Sequence, residues 1–278
     1  MQERFVRAFV LFFVLTVAFG ILERLWPSIP KQAKWRKGVW LDTIYWFVTP
    51  VFSQILSMVC IGIVMLPLYI ALGRSLAWDD ILTGYGPIAQ FPLWQQGAIA
   101  VIIGDFVGYW THRLHHSRML WDYHAIHHSS ETMDWLSAVR LHPINDVVTH
   151  VGQAAPLLLL GFSPLAVEAY VPILSIHVAM IHANLSWNFG PFRYWLSSPA
   201  FHRWHHTMDK DGQGRNFAGM FPIYDILFGT YYLPKRQPGN FGIEGETMTE
   251  DFLGQMLYPF RNWRFLKRFK KLKFQRDR

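Results

Sequence analysis

Five stretches of the chain are nearly free of charge, and they set its architecture. Phe5–Leu22 is apolar apart from Arg7 and Thr16, and it stops at Glu23-Arg24. Thr43–Gly73 holds no Asp, Glu, Lys or Arg over 31 residues. A helix of that length reaches ~46 Å, against the ~30 Å hydrocarbon core of a bilayer. It predicts either one tilted span, kinked at Pro50 or Pro67, or a span plus a re-entrant piece. Leu93–Trp110 carries Asp105 as its only charge. Val147–Val167 and Ala169–Trp187, with the breaker Gly161-Phe162-Ser163-Pro164, read as a tight helical hairpin that is short for full crossing. The first window lacks a small-residue cleavage site, so it reads as an anchor and not as a secretory signal.

The loops orient these spans. Arg24–Lys37 holds Arg24, Lys31, Lys34, Arg36 and Lys37, whereas Gly73–Phe91 holds Arg74 against Asp79 and Asp80. Lys and Arg concentrate in cytoplasmic loops, which places the first loop inside and the second outside. Thr111 onward then returns to the cytoplasmic side, and the hairpin goes out and back. The tail Arg261–Arg278 carries nine Lys or Arg and one Asp. Its Phe265, Leu266, Phe269 and Leu272 share one helical face, which predicts a basic amphipathic helix on an anionic lipid surface. Such a tail also suits nucleic acid, but the membrane-like remainder argues against that partner.

Composition sharpens this picture. Of 278 residues, 51% are hydrophobic, 17% aromatic and 16% charged, against roughly 25% charged in a soluble domain. The single cysteine, Cys60, excludes an intrachain disulfide and a Cys-ligated iron–sulfur cluster. The fold class is therefore all-α: a polytopic membrane bundle of about four to five helices, one a short hairpin, with a cytoplasmic histidine-rich helical cap. Residues 1–92 read as membrane anchor helices, 93–235 as the catalytic region and 236–278 as the basic tail.

All 13 histidines lie between His112 and His206. Three clusters stand out: His112-x3-His116, His124-x2-His127-His128 and His202-x2-His205-His206. Residues four apart on a helix share a face. His112 and His116 can thus bind one ion, and His124 can pair with His127 or His128. Adjacent histidines point in different directions, so a His-His pair can serve two ions at once. Eight imidazoles in this spacing suit two metal ions, and iron, zinc, copper and nickel all accept imidazole. His142, before the hairpin, and His182, at its exit, fall at the same membrane level and are further ligand candidates. His115, His150 and His177 are expected outside the ligand set, with His115 and His177 beside it. Asp105 is an ionisable residue inside a span, placed to orient a metal-bound imidazole.

These residues resemble the fatty-acid hydroxylase/sterol desaturase superfamily. The resemblance rests on Asp105-Phe-Val-Gly-Tyr-Trp-Thr-His112-Arg, Leu120-Trp-Asp-Tyr-His124-Ala-Ile-His127-His128-Ser, Arg140-Leu-His142-Pro and Ile181-His182-Ala-Asn. It continues through Pro199-Ala-Phe-His202-Arg-Trp-His205-His206, Asn216-Phe-Ala-Gly and Tyr224-Asp225-Ile-Leu-Phe-Gly229-Thr, and covers about residues 95–232. It implies an integral-membrane, non-haem di-iron monooxygenase that uses O2 to hydroxylate or desaturate a fatty-acyl, sterol or related lipid. Carried over by motif, the catalytic ligands are His112, His116, His124, His127, His128, His202, His205 and His206, with His142 and His182 as additional metal ligands. Asn216 and Asp225 match positions near the last box, where the resemblance leaves a supporting role and a catalytic one equally open. Two iron ions are implied, with zinc as a substitute in isolated protein, together with O2. Electrons are expected from a separate ferredoxin or cytochrome b5 type protein, because the chain shows no fused electron-transfer domain. Its compactness favours a bacterial inner membrane over endoplasmic reticulum. The rival readings are a divalent-metal transporter, a zinc hydrolase and a catalytically inactive lipid-binding member. Ligands clustered at one face, the absence of His-Glu-x-x-His and the complete histidine set count against them in turn.

Overall fold

A computed structural model describes residues 2–245 and 248–261. The predicted basic helix over 261–278 lies outside the described residues, save Arg261. The described helices are α1 (Gln2–Leu25), α2 (Val39–Ala71), α3 (Trp78–Thr83), α4 (Gly86–Ala89), α5 (Leu93–His115), α6 (Trp121–His128), α7 (Pro143–Leu159), α8 (Pro164–Ala169), α9 (Val171–His182), α10 (Pro199–His205), α11 (Ile223–Leu227) and α12 (Phe252–Arg261). Two 3₁₀ turns, Trp135–Val139 and Gly190–Tyr194, complete the set. Among the described residues there is no strand, only isolated bridges at Pro27–Leu185 and Thr207–Phe241.

Three helical stretches are long and apolar enough to cross a bilayer: Val6–Leu25, Val39–Ala71 and Pro164–His182. Their outer faces expose large apolar side chains, such as Phe13 at 63% and Ile63 at 67%, as a lipid-facing surface requires. α2 is one continuous helix through Pro50 and Pro67, which settles the sequence's alternative in favour of a single span. Its buried stripe runs Asp42, Tyr45, Thr49, Ser53, Ser57, Met65 and Tyr69. That three-to-four spacing faces α7. The third window is the body of α5, and the hairpin breaks at residues 160–163, between α7 and α8, where the sequence places its breaker.

α5 and α7 approach closely because glycines line the seam. A Cβ at Gly108 would fall 2.6 Å from Gln153 Nε2, and one at Gly152 would fall 2.6 Å from Thr111 Cγ2. The seam sets the end of α5, with His112, beside the middle of α7.

Buried charge ties the spans to the histidine-bearing end. Arg36 donates to both oxygens of Asp134 at 2.6 Å and to Asp42 Oδ2 at 2.6 Å, while Arg140 Nε donates to Asp42 Oδ1 at 2.5 Å. Asp134 also caps the first 3₁₀ turn through the Leu136 and Ser137 amides. Glu23, at the end of α1, accepts from the amides of Trp135 and Asn184. α1, α2, that turn and the exit of α9 therefore meet at one level, directly under the histidines.

Candidate metal centre

The three boxes sit on short helices aimed at one another. α5 ends in His112 and His115, and His116 caps it. α6 carries His124, His127 and His128. α10 is started by Ser198, whose hydroxyl accepts from Phe201 N, with Pro199 in its first turn. It carries His202 and His205, with His206 as its C-cap. α9 delivers His182 at its last residue.

Nine imidazoles sort into two groups. The outer group is His112, His116, His124, His128 and His205, and the inner group is His127, His182, His202 and His206. Within each group the candidate ligand atoms all lie within 4.8 Å of one another. Neighbouring histidines are split between the groups, His127 from His128 and His205 from His206, as their divergent directions on a helix require. His124 pairs with His128, not His127. The groups touch: the His128 and His206 rings stack with centroids 4.3 Å apart.

The inward atoms are Nε2. The edges His112–His124, His116–His205 and His124–His128 are each 3.2 Å, and His128–His205 is 3.1 Å. In the inner group, His127–His182, His182–His202 and His202–His206 are each 3.1 Å.

Hydrogen bonds on the far side of four rings fix their tautomer. Nδ1 of His112 faces Phe217 O at 2.7 Å, and Nδ1 of His205 faces Arg215 O at 2.8 Å. Nδ1 of His124 faces Asn145 Oδ1 at 2.8 Å, and Nδ1 of His182 faces Val178 O at 2.7 Å. A neutral imidazole has one proton, and these carbonyl acceptors hold it at Nδ1. His112 and His124 therefore point bare Nε2 lone pairs at each other across 3.2 Å. Burial, reinforced by neighbouring imidazoles, pushes His124, His127, His128, His202, His205 and His206 well below the usual histidine range. These rings stay neutral, so protonation does not relieve the crowding. A cation at the centre of each group does.

With metal–nitrogen bonds of about 2.1 Å, edges of 3.1–3.2 Å subtend roughly 95–100°. That is nearer the right angle of an octahedral site than a tetrahedral angle of ~109°. Five donors also exceed the four-coordinate habit of structural zinc. The residues fit two metal ions, with five imidazoles that would hold one and four that would hold the other.

A strap over residues 215–221 supports the outer group. Asp225 accepts from the amides of Phe217 and Ala218, both at 2.8 Å, and from Thr230 Oγ1 at 2.6 Å. Asp105 accepts from the amides of Met220 at 2.8 Å and Phe221 at 2.7 Å. Asn216, at φ 59°, donates to Phe201 O and Tyr232 O and accepts from Tyr232 N. These three residues hold the backbone whose carbonyls, at 215 and 217, take the His205 and His112 protons.

Two sequence expectations are corrected here. Asp105 touches no imidazole; it acts through the strap backbone. His142 joins neither group. Its Nδ1 accepts from Ile144 N at 3.1 Å and its Nε2 lies 3.3 Å from Met256 O, because it is the N-cap of α7. His182, by contrast, is brought into the inner group. His115 stands beside the ligands: its ring stacks on His124 with centroids 5.2 Å apart, and its Nε2 lies 3.1 Å from Thr149 Oγ1. His177 is hydrogen-bonded to the Gly219 backbone, at the strap. His150 faces Ser57 at 3.1 Å, away from both groups. Sequence reasoning missed Asn145. An Asn three residues after His142 is a signal only once α7 is known to lie against α6.

Comparison with known proteins places this site. Residues 97–230 match the model of the fatty acid hydroxylase family. The ornithine lipid hydroxylase OlsE of Rhizobium tropici is 32% identical over 174 residues, covering 62% of this chain and 52% of that protein. The human alkylglycerol monooxygenase is 33% identical over 165 residues, covering 56% and 32%. The very-long-chain aldehyde decarbonylase GL1-5 of Oryza sativa subsp. indica is 32% identical over 187 residues, covering 56% and 29%. The chain thus spans about half the length of the first relative and about a third of the others. No solved structure matches it.

Proposed function

Because residues 97–230 match the model of the fatty acid hydroxylase family, we propose that the chain belongs to that family and is a membrane-bound, O2-dependent oxidoreductase that hydroxylates a lipid C–H bond. The observation that carries this reading is the pair of touching imidazole groups, five and four, with Nε2 atoms converged and the protons of His112, His124, His182 and His205 held on the far side of their rings. His112, His116, His124, His128 and His205 hold one iron, and His127, His182, His202 and His206 hold the other. The irons supply O2 reduction and attack on an unactivated carbon. The protein does the rest. The Nδ1 acceptors hold His112, His124, His182 and His205 in register, the buried inner group excludes water, and the spans deliver an apolar chain from the bilayer.

The substrate is a lipid. A polar lipid such as the ornithine lipid named for the R. tropici relative, or an alkylglycerol such as that named for the human one, is in range. A separate small redox protein supplies electrons. The basic Arg24–Lys37 loop puts the histidines on the cytoplasmic side, in a bacterial inner membrane. Residues 1–92 serve as anchor, 93–235 as catalytic domain and 236–278 as a basic extension. Desaturation is the second reading, since both outcomes begin with the same hydrogen removal. Comparative lipid mass spectrometry of cells with and without the gene separates them. A gain of one oxygen supports hydroxylation, a loss of two hydrogens supports desaturation, and no lipid change contradicts both.

A further inference from the structure

The outer group reaches the surface, and the inner group does not. All four inner imidazoles are buried, whereas His112 and His116 are half-buried. Trp121, itself half-buried, sits at that opening. Its ring centroid lies 5.2 Å from His116, 5.4 Å from His128 and 6.3 Å from His124. One surface aromatic thus meets three of the five outer imidazoles. From there the His128–His206 stack, at 4.3 Å, leads into the inner group.

Four arginines and one carboxylate, Asp122, lie on the segments that carry or support these rings. Arg118 is exposed in the turn between α5 and α6, three residues before Trp121. Arg113, half-buried on the last turn of α5, places its guanidinium 6.0 Å from the Phe217 ring, which packs on His116. Arg215, also half-buried, is the residue whose carbonyl faces His205. Exposed Arg261 ends α12, which packs against α6, with Phe260 and Tyr123 in ring contact at 6.2 Å.

We infer that this face docks an acidic one-electron donor protein and that electrons enter through Trp121. The inference rests on the oxygenase reading above. Inserting one atom of O2 into a C–H bond and reducing the other to water consumes two electrons and two protons. Two successive encounters, each oxidising one donor molecule by one electron, supply the electrons, and water supplies the protons. Opposite charge steers such encounters, and the ring-to-ring contacts join Trp121 to three of the five outer imidazoles.

The test uses full-length, iron-loaded protein in zwitterionic nanodiscs, with a reduced acidic [2Fe–2S] ferredoxin as the probe. Affinity for the ferredoxin is measured on iron-loaded and iron-free protein, and iron reduction is followed by stopped-flow spectroscopy. Arg118→Glu is expected to weaken binding and slow ferredoxin-driven reduction by about tenfold, with a flatter salt dependence. Lys31→Glu, an equal charge change in the α1–α2 loop, is expected to leave both near wild type. Dithionite is expected to reduce wild type and Arg118→Glu equally fast. Equal losses in the two variants, or no loss in Arg118→Glu, overturn the docking face. Wild-type protein that binds no iron, or that dithionite does not reduce, overturns the oxygenase reading instead.

Discussion

The side-chain oxygen of Asn145 lies 2.8 Å from Nδ1 of His124. That contact joins α7 to α6, and it holds the His124 proton away from the metal side. His124 in turn has its Nε2 within 3.2 Å of both His112 and His128. Asn145 is therefore the side chain that sets the protonation of an outer imidazole with two close neighbours. Replacing it with Leu leaves Nδ1 without an acceptor and frees the proton to move inward. Asn145→Leu is expected to lower metal affinity about 10- to 100-fold, as loss of a ligand's supporting partner does elsewhere. Asn145→Asp, which keeps an acceptor, is expected to stay close to wild type. A competition titration with a coloured chelator measures both.

His182 and His142 make a matched pair with opposite expectations. His182 contributes Nε2 to the inner group at 3.1 Å from both His127 and His202. His142 caps α7. His182→Ala is expected to bring bound iron from about two per chain toward one. His142→Ala is expected to keep both ions and to lose about 1 kcal/mol of stability through the missing cap. Elemental analysis and thermal melting of the two proteins distinguish these outcomes.

Asp225 accepts three hydrogen bonds while buried, two of them from the strap amides. Asp225→Ala strands those donors, and each charge-assisted bond contributes roughly 1.5–3 kcal/mol. The variant is expected to melt lower by roughly 3 kcal/mol or more, and to bind metal more weakly at the outer group than at the inner one. Asp225→Asn, which keeps one acceptor, is expected to fall between. Thermal melts with and without metal give both quantities.

The Arg36–Asp42–Arg140 arrangement is buried, with Asp42 facing both guanidiniums. Asp42→Leu leaves two cations without their shared partner, an outcome that costs about 3–5 kcal/mol when a buried ion pair is broken. Because the same network fixes the start of α2 beneath the histidines, reduced membrane yield is expected along with lost stability. Size-exclusion profiles in mild detergent measure it.

The sequence displays the boxes plainly because ligand pairing at i and i+4 is local. His112 with His116, His124 with His128 and His202 with His206 each share a helical face, and each pair stays in one group. The apolar windows were equally legible, since lipid-facing residues need no tertiary partner. The division of nine imidazoles into five and four was not. It depends on how α5, α6, α9 and α10 approach one another, which no spacing within a box encodes. Acceptors such as Phe217 O and Arg215 O are backbone atoms and leave no mark in residue identity. His142 looked like a ligand because it lies at the right membrane level. Its position before Pro143, the first residue of α7, was the available sign that it caps a helix. Asp105 looked like an imidazole partner because it lies seven residues before His112, but the strap amides reach it first.

The most direct test of the account is incubation of the iron-loaded protein with membrane lipids, a reductant and ¹⁸O2, followed by mass spectrometry of the lipids. The account predicts that one lipid class gains a single labelled oxygen atom, and that the gain disappears in His128→Ala. Lipids that carry no label, or a labelled product that forms equally well in His128→Ala, would contradict it.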